Sequence, residues 1–170
     1  MRRKSGMVAL IPEIYITALK VAYVAPIFIY VYVLFNLKEL VVLDYVGLFF
    51  NFIGAFIVVK AKKDLGKFHT WTGFRYEKIA LFTHGIYAYM RHPLYAGIFV
   101  FMFGVFLVIF FRLSIWALLL VLVVLFYASL IIAIAAKKES KILMKEHGEE
   151  FVGYMKNVHS FLPVKRFRKL

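Results

Sequence analysis

The sequence contains no cysteine, which removes disulfides, thiolate metal sites, cysteine nucleophiles and CxxC redox chemistry at once. That absence assigns no redox compartment. Glutamine is missing as well, and asparagine occurs only as Asn36, Asn51 and Asn157. Beside abundant lysine, this shortage of thermolabile amides points to a thermophilic source. Acidic residues are scarce too: nine Asp and Glu stand against 22 Lys and Arg, a formal net charge of +13. Five histidines are present, His69, His84, His92, His147 and His159. None stands in H-x-x-x-H or H-x-x-E-H spacing, so no metal site is expected. No internal repeat and no low-complexity linker are visible.

What the chain has in excess is apolar surface. Of its 170 residues 64% are hydrophobic, and the mean hydropathy of +0.82 is incompatible with an ordinary soluble domain. Charges gather in a few short segments between long uncharged runs, and a helix needs about 20 apolar residues to cross a bilayer. Four runs qualify: 8–37, 40–59, 94–111 and 113–136. The first is broken by Pro12, Glu13, Lys20 and Pro26 and predicts a kinked or partly interfacial helix. Its charges, and the lack of a small-residue cleavage site, argue against a removable signal peptide despite the opening MRRK. Little more than Arg112 separates the last two runs, which predicts a tight helical hairpin. The expectation is an all-α membrane protein: four transmembrane helices under a cytoplasmic cap of loop and short C-terminal helices.

Lys and Arg number three in residues 1–6, seven in 60–92 and nine in 137–170, with single residues at Lys20, Lys38 and Arg112. Nineteen therefore face one side and Lys38 and Arg112 the other. The positive-inside bias puts both termini and segments 60–93 and 137–170 in the cytoplasm of a multi-pass protein, with a prokaryotic cell membrane as the expected setting. Anionic lipid headgroups account for the basic excess. Nucleic acid does not, because the charges border spans without any nucleic-acid-binding motif.

Two cytoplasmic stretches carry the information. The first, Ala61 to His92, is long for a mere connector; it contains LGKFHTWT (Leu65 to Thr72) and ends in the run from Gly85 to Gly97, GIYAYMRHPLYAG. Pro93 suits the first turn of a helix and His92 its cap. The amide donors of that helix start form a natural seat for a carboxylate. Tyr95 adds a ring and hydroxyl, and Gly97 a gap against which a small molecule could lie. The second stretch follows the fourth span, Lys137 to Phe151, with Glu139 and Leu143 sharing a face. Gly148 should end that helix in a left-handed cap conformation. Phe151, Tyr154, Met155 and Val158 then line an amphipathic second helix that would fold the tail over the Arg91-to-Gly97 region.

These two motifs resemble those of the integral-membrane methyltransferases typified by isoprenylcysteine carboxyl methyltransferase, with phospholipid N-methyltransferases as relatives. Gly85 to Gly97 matches G-x-Y-x-x-x-R-H-P-x-Y-x-G at every fixed place. Glu139 to Phe151 is similar to E-E-x-x-L-x-x-x-F-G-x-E-Y, with Tyr154 and Pro163 following as in the family. The likeness covers roughly residues 40–164. It implies S-adenosylmethionine as methyl donor, S-adenosylhomocysteine as product, and a lipophilic acceptor arriving from the bilayer. It assigns Tyr87, His92, Pro93, Tyr95, Gly97 and Glu139 to cofactor binding, with Glu150 as a further candidate. Ser140 stands in place of the second Glu, His147 and Phe151 replace Phe and Tyr, and Ala133 and Ala135 stand where prenylcysteine enzymes carry arginines. A prenylcysteine carboxylate would therefore lack that grip here.

Each residue also has a plainer use. Arg91 beside a positive helix end is electrostatically awkward until an anion joins it. The candidate catalytic role is to pair with the cofactor carboxylate or orient the acceptor; the plain alternative is a lipid phosphate. His92 can be a cap alone, Glu139 an ordinary helix ion pair, and Tyr87, Tyr89 and Tyr95 interfacial anchors. Glu149 and Glu150 suit a helix first turn. Asp44 and Asn51 share a face of the second span and either line an acceptor cleft or join helices. A phospholipid or small-molecule N- or S-methyltransferase is the alternative within the same chemistry; a nicotinamide-dependent steroid-type reductase and a non-catalytic membrane scaffold or transporter component are the competing functions of other classes.

Overall fold

The computed structural model describes residues 6–70, 73–76 and 80–163. The basic cluster Arg2, Arg3 and Lys4, then Trp71 and Thr72, and residues 164–170 lie outside the described part. A short strand, β1 (Met7–Ala9), precedes helix α1 (Glu13–Phe35); α2 (Val42–Leu65) follows, then β2 (Phe74–Tyr76), α3 (Pro93–Ile109) and α4 (Ile115–Asn157). Single turns of tighter helix stand at Gly66–Phe68 and Gly85–Ala88.

The first apolar run is less helical than expected. Pro12 blocks an earlier start, so α1 opens at Glu13, whose carboxylate suits the positive helix end. Residues upstream instead form β1, paired antiparallel with β2 in the register Val8 to Arg75. The second helix runs to Leu65, six residues beyond the expected end at 59. Helices α1, α2 and α4 are each long and apolar enough to cross a membrane, while α3 is a shorter apolar helix of 17 residues. Large apolar side chains cover their outer faces, among them Phe28, Phe35, Phe52, Phe56, Trp116 and Phe126. Such surface is untenable in water and ordinary against lipid, as befits an integral membrane protein.

Lipid offers little hydrophobic reward for helix association, so close backbone approach and polar bridges hold the bundle. Gly47 and Gly54 on α2 face Gly104 and Gly97 on α3, each pair seven residues apart. A Cβ on Gly54 would lie 2.4 Å from the Phe101 nitrogen, and one on Gly104 2.4 Å from the Gly47 oxygen. The gap at Gly97 is therefore filled by α2: its Cβ would meet Val58 at 2.8 Å and the Gly54 oxygen at 2.9 Å. Asn51 accepts from the Tyr30 hydroxyl at 2.8 Å and donates to the Phe101 carbonyl at 2.7 Å. One amide side chain thus ties α1, α2 and α3, the helix-joining use of the two foreseen.

At the far end Asp44 is fully buried. The Arg112 guanidinium meets its two oxygens at 2.6 Å each, and the Val41 amide donates to it at 2.8 Å. Removing one partner of a buried pair strands the other. Asp44→Asn is expected to cost about 2 kcal/mol, moderated because Arg112 retains some access to the surface. A thermal unfolding transition in detergent indistinguishable from wild type would contradict this.

Two apolar clusters join α1 to the later helices. Ile11, Ile16, Leu19 and Ala22 pack on Ala128 and Ile131 of α4, while Tyr30 and Val33 pack on Val105, Val108, Ile109 and Val121. The helix α4 continues far past its apolar stretch, as the polar sequence after Ala136 predicted. It breaks at Gly148 with φ 51° and ψ −125°. That is a region open to glycine because it lacks a Cβ, and not the left-handed helical well expected. Helix then resumes to Asn157.

Candidate active site

Three segments converge at the end of the bundle where residues 60–92 and 137–163 gather: the end of α2 with the loop behind it, the start of α3, and the extension of α4. Between them lies a hollow of about 670 Å³, open mouth included. A second of about 390 Å³ adjoins it. Leu65, Thr70, Tyr87, Arg91, His92 and Glu139 line both, so the two form one cleft. The larger part has an aromatic wall of Phe68, Tyr76 and Phe82. The smaller reaches Leu94 and Tyr95 at the start of α3.

Local chemistry fixes each side chain. The turn Gly85–Ala88 hangs on Asp64, which accepts the Ile86 amide at 2.7 Å. Gly85 has φ 60°, and a Cβ there would fall 2.2 Å from the Asp64 carboxylate, so both conformation and space demand glycine. Gly85→Ala should release this turn, seen as faster hydrogen exchange at Ile86 and Tyr87; unchanged protection would refute the assignment. On the other side the Tyr154 hydroxyl donates to the Tyr87 carbonyl at 2.5 Å. Burial, then the nearby Glu139 carboxylate, raise the Tyr87 phenol above its ordinary range. Tyr154, beyond the Gly148 break, is pushed up to about 12 by burial, with Arg91 opposing. Both phenols are neutral donors at physiological pH.

His92 occupies the cap position of α3, with Pro93 in its first turn, but its side chain makes no capping bond. The ring instead reaches α4: Nε2 lies 3.0 Å from the Ser140 hydroxyl and Nδ1 3.4 Å from Glu139 Oε2. It stacks on Tyr95 with centroids 5.6 Å apart. Ser140, at the place of the family's second Glu, is thus a hydrogen-bonding partner of the histidine.

The expected docking of the tail on this region is present, and it changes the reading of the helix start. The Arg91 amide donates to the His159 carbonyl and the His92 amide to the Ser160 carbonyl, each at 2.8 Å. These two donors, immediately ahead of α3, are used by the tail and not offered to a carboxylate. The Arg91 guanidinium, which donates to Ser160 Oγ at 2.7 Å, stays on the cleft wall.

Of the candidates from sequence, Tyr87, Arg91, His92, Tyr95 and Glu139 line the cleft. Pro93 is buried beneath it and sets the helix start. Gly97 faces α2, and Glu150 is exposed beyond the Gly148 break, outside the cleft lining. Sequence reasoning missed Arg75, Phe68 and Phe82. They lie between α2 and α3, on β2, a single helical turn and a loop too short to show periodicity, and only the length of that connection hinted at work.

Residues 42–148 match the model of the family described as PEMT: Phospholipid methyltransferase. The matched stretch begins with the first residue of α2 and ends at the Gly148 break, so it holds Arg91, His92 and Glu139. No curated protein matches the chain.

Proposed function

Because this chain belongs to the phospholipid methyltransferase family, an integral-membrane methyltransferase family, we propose that it transfers a methyl group from S-adenosylmethionine to a lipophilic acceptor at the cytoplasmic face. The carrying observation is the cleft in which Arg91 and His92 from the start of α3 oppose Glu139 from the extension of α4. Its donor set fits the methyl donor. A guanidinium suits an amino acid carboxylate, a carboxylate suits its ammonium or sulfonium charge, and the aromatic wall suits an adenine ring. When bound, that molecule supplies an electrophilic methyl group on a sulfonium.

The protein's share is binding, orientation and exclusion of water. Ser160 holds the Arg91 guanidinium at the cleft wall. Ser140, Glu139 and Tyr95 fix the His92 ring from three sides. The apolar side chains of Leu65, Phe68, Phe82 and Leu143 line the cleft, which suits exclusion of water around a bound ligand. Leu94 and Tyr95, in the first turn of an apolar helix, line the smaller part, which suits a lipophilic acceptor.

The cytoplasmic placement rests on charge in the sequence: nineteen of the 22 Lys and Arg fall in segments 1–6, 60–92 and 137–170. Lys137, Lys138, Lys141 and Lys145 are exposed on the α4 extension, available to anionic lipid headgroups. Calorimetric titration of the detergent-solubilised chain with S-adenosylhomocysteine tests the proposal, with saturable binding expected. Binding of NADPH in its place would support the reductase, and binding of neither the scaffold. With Arg91→Ala, unchanged affinity and unchanged rate would remove Arg91 from the site.

A further inference from the structure

Arg75 belongs to none of the motifs, yet its side chain is only 5% exposed and lines the cleft. A guanidinium in such a place is costly unless it is paired and hydrogen-bonded. Its Nη2 donates to both carboxylate oxygens of Glu146, at 2.6 and 2.7 Å, and its Nε donates to the Tyr76 carbonyl at 2.7 Å. Lysine, a single point charge, has no fork with which to meet both a carboxylate and a carbonyl in this way.

The two partners stand on different elements, strand β2 and the extension of α4, 71 residues apart in sequence. Strand β2 is held by β1 and by the Leu10 amide, which donates to the Gly73 carbonyl at 2.8 Å. Phe74 packs on the cluster of Ile11, Ile16 and Ile131. Glu146 stands on the extension of α4, which leaves the bundle after Ala136 and breaks at Gly148. Glu139, Leu143 and Glu146 are spaced four and three residues apart and so share one face of that extension. The first two line the cleft, and the third is gripped by Arg75.

We propose that Arg75 is a positioning residue for the methyl-donor site: through Glu146 it sets the rotation of the α4 extension and thereby holds Glu139 toward the cleft. The proposal rests on the methyl-donor reading above. It also explains what the segment before α1 contributes, since that segment anchors β2 and hence Arg75.

The test uses the full chain in detergent, as wild type, Arg75→Gln, Glu146→Gln and the exchanged pair Arg75→Glu with Glu146→Arg. Hydrogen exchange of amides 139–147 is read without ligand, and affinity for S-adenosylhomocysteine is read by calorimetry. Each single variant is expected to exchange about tenfold faster in that segment, with α2 and α3 unchanged, and to bind about tenfold more weakly. The exchanged pair should recover much of both. If Arg75→Gln fails to fold, Glu146→Gln reads the same quantities from the more exposed partner. Single variants that bind the probe as wild type does overturn the proposal while leaving the methyl-donor reading intact. If the wild type itself takes up no probe, the methyl-donor reading fails, and unchanged exchange in the variants overturns the clamp as well.

Discussion

Gly54→Ala is expected to prevent assembly of the bundle, although it adds a single methyl group. The new carbon would sit 2.4 Å from the Phe101 nitrogen, 2.7 Å from the Gly97 oxygen and 2.7 Å from the Phe101 Cα. All three neighbours are backbone, so no side chain can rotate away, and α2 and α3 must separate along their length. Separation also pulls Asn51 from the Phe101 carbonyl, leaving polar groups unpaired where no water can serve them. The combined penalty should exceed about 3 kcal/mol. Gly153→Ala is the control, since nothing lies within 4 Å of its added carbon. Monodisperse Gly54→Ala protein with a wild-type thermal transition would disprove the account of the helix interface.

Glu139→Gln is the second large effect, and it acts on the site while sparing the fold. The substitution keeps the size of the side chain and a possible contact with His92, now 3.4 Å from Glu139 Oε2. Among the described residues it removes the one carboxylate lining a cleft that Arg75 and Arg91 also line. A ligand bearing an ammonium and a sulfonium loses its charge-assisted partner, worth about 1.5–3 kcal/mol, or roughly ten- to hundredfold in affinity. The melting transition should move little, because Glu139 is partly exposed and lies outside the apolar clusters. Affinity for S-adenosylhomocysteine within twofold of wild type would exclude Glu139 as a ligand of the positive group.

The same two substitutions divide what was legible from what was not. The Arg91-His92-Pro93 run and Glu139 could be selected from sequence because they stand at fixed places of motifs that resemble those of the integral-membrane methyltransferases. Charge and spacing alone leave a cap or a helix ion pair as sufficient uses. Gly97 was read correctly as a gap, yet a gap can be filled from either side, and only the packing of α2 assigns it. The same holds for Asp44 and Asn51. Their common face was visible, but their partners Arg112, Tyr30 and Phe101 are set by helix pairing. Arg75 carried no local sign, since its importance arises from a carboxylate 71 residues later.

Composition and periodicity by themselves determined the solvent. Long uncharged runs must lie in lipid, and a helix satisfies its own backbone there, so the number, order and rough limits of the apolar helices followed from local chemistry. The break at Gly148 is local in the same way, set by the missing side chain of one residue. Tertiary structure alone decided which glycine meets which, which polar group bridges which helices, and that the start of α3 and the extension of α4 enclose one cleft. Those outcomes depend on how rigid helices pack in three dimensions, and a one-dimensional pattern of apolar and polar positions carries the face of each helix but not the neighbour it meets.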